Sequence, residues 1–247
     1  MLNTTDAYSV ERAHRPIIDR HAERIRKTGH AVLSRPDFGL ELPDDTVARF
    51  RGFWDDLPLD DQMADGGVYR ERRFGRILAT VRDGAIDTEV LEHSSFRQEA
   101  DIIPFWGGKE RTFAPAGPDI LLHPVMRALV GFDVSVAAVL RPVRTWVVNV
   151  HLVRIVARAG APGLPTPEGR HRDGHEFVAM HLLRRECEGG ESIVHADPQP
   201  VRLTLREPFD SLMVDDARLT HEVTPIAGRG DGDGVRDMLL VDLNPAP

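Results

Sequence analysis

The chain has one cysteine, Cys187, in 247 residues, so no disulfide can close within it. That usage fits a reducing compartment. Cys187 reads as a strand or turn residue, since no specific partner marks it as a nucleophile. No run of eighteen apolar residues occurs, so no membrane-spanning helix is expected. The first residues, Met1-Leu2-Asn3-Thr4-Thr5-Asp6, lack the charged and apolar regions of a signal peptide. Positive charge is also short: 31 Lys and Arg stand against 39 Asp and Glu, for a net charge of −8. No basic stripe of the kind a phosphate backbone requires stands out, which disfavours nucleic acid as a partner. There is no internal repeat and no obvious linker. These absences lead to the expectation of a soluble, cytoplasmic chain forming a single domain over 1–247, with its oligomeric state open.

What is present is enough for a core: 41% of residues are hydrophobic. Residues 10–28 read as a helix with Ile17, Ile18, His21 and Ile25 near one face, Ser9 as its cap and Gly29 as its end. A short strand at 30–33 and a second helix at 44–54 follow. Residues 68–117 read as short strands and loops, in which Arg70, Arg72, Arg73 and Arg76 cluster, in most cases a solvated face and less often an anion site. A helix is expected over 118–130, ending near Gly131. Beyond it the character turns to β. Residues 145–156 are a long β-branched run, 158–169 a Gly/Pro loop, and further strands fall near 176–183, 192–194, 211–216 and 238–243. Short strands separated by turns argue for a mainly β fold with flanking helices, a sandwich or jelly roll. About 1–60 would form a helical extension and about 70–247 the jelly-roll core.

The chemistry concentrates in His171-Arg172-Asp173, followed by His221 and then Arg236. Two imidazoles and one carboxylate are the ligand set of a facial site for non-haem Fe(II), which leaves positions open on the metal. In an extended segment residues i and i+2 point the same way, so His171 and Asp173 can aim at one point. His221 would then come from a neighbouring strand or loop. An H-x-D pair by itself is common and usually binds nothing. His171 and His175 also stand at i and i+4, as in helical zinc sites. Here, however, H-R-D-G-H lacks the glutamate and contains a glycine, and the residues after it read as a buried strand. If 145–156 is a strand, Asn149 and His151 share one face and Arg154 lies on the other.

The ordered set with its flanks resembles the Fe(II)/2-oxoglutarate-dependent dioxygenases, in the branch of L-isoleucine dioxygenase and related free-amino-acid hydroxylases. The matching stretches are Pro167-Glu168-Gly169-Arg170-His171-Arg172-Asp173-Gly174-His175-Glu176-Phe177-Val178, Gly189-Gly190-Glu191-Ser192, Asp215-Asp216, His221-Glu222-Val223-Thr224-Pro225-Ile226 and Arg236-Asp237. The likeness covers about 72–243 and is weakest over the first sixty residues.

The resemblance implies a double-stranded β-helix, the cupin-like jelly roll, with metal ligands at its open end. It implies that His171, Asp173 and His221 bind Fe(II), and that Arg236 pairs with the distal carboxylate of 2-oxoglutarate, the cosubstrate used with O2. The implied reaction hydroxylates an unactivated C–H of a small molecule, a free L-amino acid. The aspartate at 173 favours hydroxylation over halogenation, since related halogenases carry a small residue there. Around this centre, His151 is a candidate for contact with the cosubstrate, or alternatively a core histidine. Arg154 is a candidate for a substrate carboxylate, and Glu168 and His175 for an amine or carboxylate. Phe96, Phe105 and Trp106 are candidates for an apolar pocket. Desaturation, epimerisation or cyclisation on the same fold, a non-catalytic metal-binding jelly-roll sensor, and a zinc hydrolase remain the rival readings.

Overall fold

The computed structural model describes residues 8–9, 14–106 and 108–247. Helix α1 spans Arg15–Thr28. Pro16 occupies its first turn, where a missing N–H costs nothing. Gly29 closes it at φ 78°, the left-handed conformation that glycine adopts without strain. The expected start of this helix, 10–13, lies outside the described residues. Ser9 is not its cap: it belongs to a two-residue strand, Tyr8–Ser9, paired through Ser9 with Ala85. Strand β1 (His30–Leu33) and helix α2 (Asp44–Gly52) follow where expected.

The middle of the chain departs from expectation. In place of short strands and loops it holds one thirteen-residue strand, β2 (Arg70–Arg82), and its hairpin partner β3 (Ala85–Val90). The helix expected to end near Gly131 is instead two. A short turn at Pro118–Leu121 precedes α3 (Pro124–Leu140), which runs straight through the glycine. The break falls at His123-Pro124, where the imidazole of His123 accepts the Val125 N–H at 3.3 Å. Helix α3 is buried on nearly every side, and that packing outweighs the low helix propensity of Gly131.

Strands β4 (Thr145–Ala157), β5 (Phe177–Glu186), β6 (Ser192–His195), β7 (Ser211–Asp215), β8 (Thr220–Val223) and β9 (Gly234–Pro245) complete the main β structure. The large sheet runs Tyr8–Ser9, β3, β2, β4, β9, β5, β7, β1, with Ala114–Pro115 alongside β2. A smaller sheet, Val201–Leu203, β6, β8, is separate. This is the expected jelly roll, mainly β with flanking helices.

Period-two alternation gives each face of the large sheet its own task. Val148, Val150 and Leu152 of β4, with Leu239, Val241 and Leu243 of β9, pack with residues of α1 and α3 into the main core. Their alternating neighbours, His151, Val153, Ile155, Arg236, Met238 and Leu240, line a cavity on the other face. No helix among the described residues is long and apolar enough to cross a membrane.

Candidate active site

His171 and His221 form an isolated antiparallel bridge. Each backbone N–H donates to the other's carbonyl, at 3.0 and 2.9 Å, and the ring centroids lie 4.6 Å apart. Asp173 joins them from the turn that follows. One donor atom from each of the three lies within 4.8 Å of the other two. The Nδ1 of His171 is 2.8 Å from the Gly169 carbonyl, to which it donates, so Nε2 is the nitrogen that faces the cluster and would give up its proton to a metal. His221 Nε2 lies 3.3 Å from Asp173 Oδ2, and His171 Nε2 lies 3.6 Å from Asp173 Oδ1. Burial opposes the charge on Asp173, but the two imidazoles hold its carboxyl well below the usual range. Burial pushes His171 down, but Asp173 and Glu168 lift it to about 9. Two imidazole nitrogens and a carboxylate converging in this way fit a divalent first-row metal.

Asp216 fixes the turn. Its carboxylate accepts the backbone N–H groups of Asp173, Gly174 and His175 at 3.0, 2.7 and 3.0 Å. Gly174 takes φ 87° within this turn. On the other side, Gln98 Nε2 donates to the Asp173 carbonyl at 3.1 Å and reaches Oδ1 at 3.4 Å. The backbone of the Asp173 turn is held by Asp216, and its carboxylate is reached by Gln98; neither hold was foreseen from the sequence.

The cavity holds about 840 Å3 of space, its open mouth included. Deep in it stands Arg236, 4% exposed, with its Nε unpartnered among the described residues. Burial pushes this guanidinium down to about 10. Glycine at 190 makes room for it, since a Cβ there would lie 3.2 Å from Arg236 Cδ. Val153, Ile155, Val178, Met180, Met238 and Leu240 line the same cavity. A buried cation without a counter-ion is costly. A short dicarboxylate laid along apolar walls, one end on Arg236 and the other at the histidines, fits both the charge and the surroundings.

Other residues singled out from the sequence are spread more widely. Phe96, Trp106, Glu168 and His151 line the cavity. Phe105 packs beside Trp106 in a separate small cluster. Arg154 lies outside the cavity, held by Asp237 at 2.7 and 2.9 Å. His175 sits behind the cavity, 3.1 Å from Asp242 Oδ2. Arg70 and Arg72, expected on a solvated face, are 6% and 8% exposed and line the cavity with Arg111. Their i, i+2 spacing in a strand was the available signal. It became decisive only once β2 was known to pair with β4, setting Arg72 opposite Val153.

His151 is already committed to protein partners. Arg72 Nη2 donates to its Nδ1 at 2.8 Å, so the ring carries its proton on Nε2, 3.2 Å from Asp242 Oδ2. Burial and the Arg72 charge push its imidazole down to about 4. An unfolded histidine titrates near ~6.5. Between those values the unfolded chain takes up a proton that the folded chain refuses, so stability falls as the pH drops through this window. The expected loss is about 3 kcal/mol in the iron-free protein. Denaturant melts from pH 7 to 4 would measure it, and His151→Gln should remove that component. An unchanged slope would refute the assignment.

Comparison with known proteins agrees with this geometry. A family model described as 2OG-Fe dioxygenase matches residues 51–242. A crystal structure of a bsmA homolog from Methylobium petroleophilum PM1 is 32% identical, with a TM-score of 0.82 over 93% of this chain and 96% of that one. IDO from Bacillus thuringiensis aligns at 20% identity and TM-score 0.76, over 93% and 96% of the two chains. The Fe(II)/(alpha)ketoglutarate-dependent dioxygenase TqaL aligns at 15% and 0.70, over 95% and 90%. At these identities the last two establish shared fold alone. No curated protein matches the sequence.

Proposed function

This chain belongs to the 2OG-Fe dioxygenase family, and from that premise we propose that it hydroxylates an unactivated C–H bond of a free L-amino acid. As a member it is a non-haem iron dioxygenase that uses Fe(II), 2-oxoglutarate and O2. The observation that carries the reading is one cavity holding both the His171–Asp173–His221 cluster and the buried, unpaired Arg236. When bound, iron and 2-oxoglutarate supply the oxidation: R–H, 2-oxoglutarate and O2 become R–OH, succinate and CO2.

The protein's part is to hold and orient. His171, Asp173 and His221 would hold the metal through two imidazole nitrogens and one carboxylate oxygen, and the metal would supply the activation of O2. Arg236 takes the distal carboxylate of the cosubstrate and fixes its direction by a bidentate pair. Asp216 and Gln98 keep the Asp173 carboxylate from swinging, as outer groups do for metal ligands. His151 accepts from Arg72 and so holds that guanidinium in place. The amino-acid substrate rests on the resemblance of the motif flanks to free-amino-acid hydroxylases, which is an argument by analogy.

The test begins without oxygen. Purified protein with Fe(II) and 2-oxoglutarate should show a weak visible charge-transfer band. Arg236→Ala and His171→Ala should each abolish it at cosubstrate concentrations that saturate the wild type. Adding air and single L-amino acids should then accelerate succinate formation. A missing band in the wild type would refute the cosubstrate site. A band without stimulation by any amino acid would refute the substrate class and favour another small molecule.

A further inference from the structure

Three cationic side chains gather in the lining of the cavity. Three guanidinium groups, Arg70, Arg72 and Arg111, are each at least nine-tenths buried there. The carboxylate of Asp60 meets this group and is taken by Arg70 at 2.8 Å, while Arg72 stands 3.8 Å from the same oxygen. Arg111 has no carboxylate partner among the described residues; its Nη2 donates to Gln98 Oε1. The Nε atoms of Arg72 and Arg111 are buried without hydrogen-bond partners. Leaving buried donors and cations unsatisfied is expensive, and such a site is built for an anion.

The two guanidinium groups are held side by side by aromatic faces. Arg72 and Arg111 lie 5.9 and 5.3 Å from the Phe96 centroid, and 4.2 and 5.5 Å from that of Phe113. Arg111 also stacks on Trp106 at 4.2 Å. Stacking against rings restrains both planar groups. In the same cavity, Glu168 presents the opposite charge. Its side chain is 9% exposed, Oε1 lies 3.7 Å from His171 Nε2, and Oε2 is buried with no partner. A cationic pair and an unpartnered carboxylate facing one space complement a molecule with both an anionic and a cationic end.

We infer that Arg72 and Arg111 bind the α-carboxylate of the substrate and Glu168 its ammonium group, so that an amino acid is gripped by its head. This assignment rests on the amino-acid hydroxylase reading and adds to it the residues that recognise the class. Arg236 remains for the cosubstrate, whose apolar channel lies among the strands.

The test uses the anaerobic holoenzyme loaded with Fe(II) and saturated with 2-oxoglutarate. Trp106 touches Arg111, whereas Trp54 and Trp146 are sealed in the core, so tryptophan emission reports on occupancy of the cavity. The probes are the twenty common L-amino acids, followed by the N-acetyl and carboxamide derivatives of the tightest binder. The free acid should bind about tenfold to a hundredfold more tightly than either derivative. Arg111→Gln should weaken the free acid by a similar factor and leave the carboxamide unchanged. Glu168→Gln should weaken the free acid and leave the N-acetyl derivative unchanged. Arg111→Lys, which keeps the charge and loses the planar fork, should fall between. Equal binding of acid and amide, or a 2-oxoglutarate affinity that drops with Arg111→Gln, would overturn the assignment. If a free amino acid still stimulates succinate formation in that case, the hydroxylase reading stands without it. No stimulation by any amino acid would sink that reading and the assignment together.

Discussion

Asp173→Ala is expected to lower coupled succinate formation by on the order of a thousandfold or more, the scale of losing a metal's charge stabilisation. The carboxylate is the anion of the three-residue cluster, and its removal leaves two neutral imidazoles to hold a dication. Anaerobic Fe(II) titration of the variant should show the same loss at the level of binding. Asp216→Asn provides the contrast. It leaves all three donors in place but weakens the acceptor for three backbone N–H groups of the 173–175 turn. Iron affinity should then fall by roughly tenfold to a hundredfold, the usual cost of loosening an outer group. If Asp173→Ala keeps a tenth or more of wild-type turnover, or if Asp216→Asn is the more damaging of the two, the ligand assignment is wrong.

The difference between these two aspartates also marks what sequence can reveal. His171, Asp173 and His221 were readable because metal chemistry demands a particular donor set, and a strand-like i, i+2 spacing can deliver two of its members. Arg236 was singled out as a fork-shaped cation beyond the last histidine, and the structure sets it, buried, in the same cavity. Asp216, Gln98 and Arg111 act through partners far along the chain. Asp216 reaches back to the backbone at 173–175, and Gln98 reaches forward to it. Nothing local distinguishes them from surface polar residues until sheet pairing and the hairpin at Phe96–Arg97 and Glu110–Arg111 bring them in. Arg154 illustrates the converse. Its strand parity was read correctly as opposite to His151, and that parity is what sends it away from the cavity to Asp237. Strand and turn spacing reached a mainly β sandwich or jelly roll, and the resemblance of the motif flanks chose between them. The α3 boundary did not, because burial against the sheet carries the helix through Gly131.

Asp133→Ala should destabilise the protein by roughly 3–5 kcal/mol, the cost of breaking a buried pair by removing one partner. Asp133 lies on α3, where burial raises its carboxyl above the usual range. Its Oδ2 is 2.9 Å from His181 Nε2 on β5, and His181 Nδ1 is 2.8 Å from Ser211 Oγ on β7. All three side chains are fully buried. The order Ser–His–Asp is that of a hydrolase triad, but its side chains are sealed in the core, outside the cavity that holds the histidine cluster, and Phe38 packs across the imidazole at 5.5 Å. Its role is to dock α3 on the sheet by a hydrogen-bonded strut through an otherwise apolar core. Ser211→Ala removes only the outer hydroxyl and should cost about 0.5–1.5 kcal/mol. Denaturant unfolding of both variants would measure these losses, and turnover per folded molecule should stay near wild type. A loss below about 1 kcal/mol for Asp133→Ala would mean the pair contributes little. A folded Ser211→Ala variant with its oxygenase activity abolished would mean that the strut is coupled to the cavity on the opposite face of the sheet.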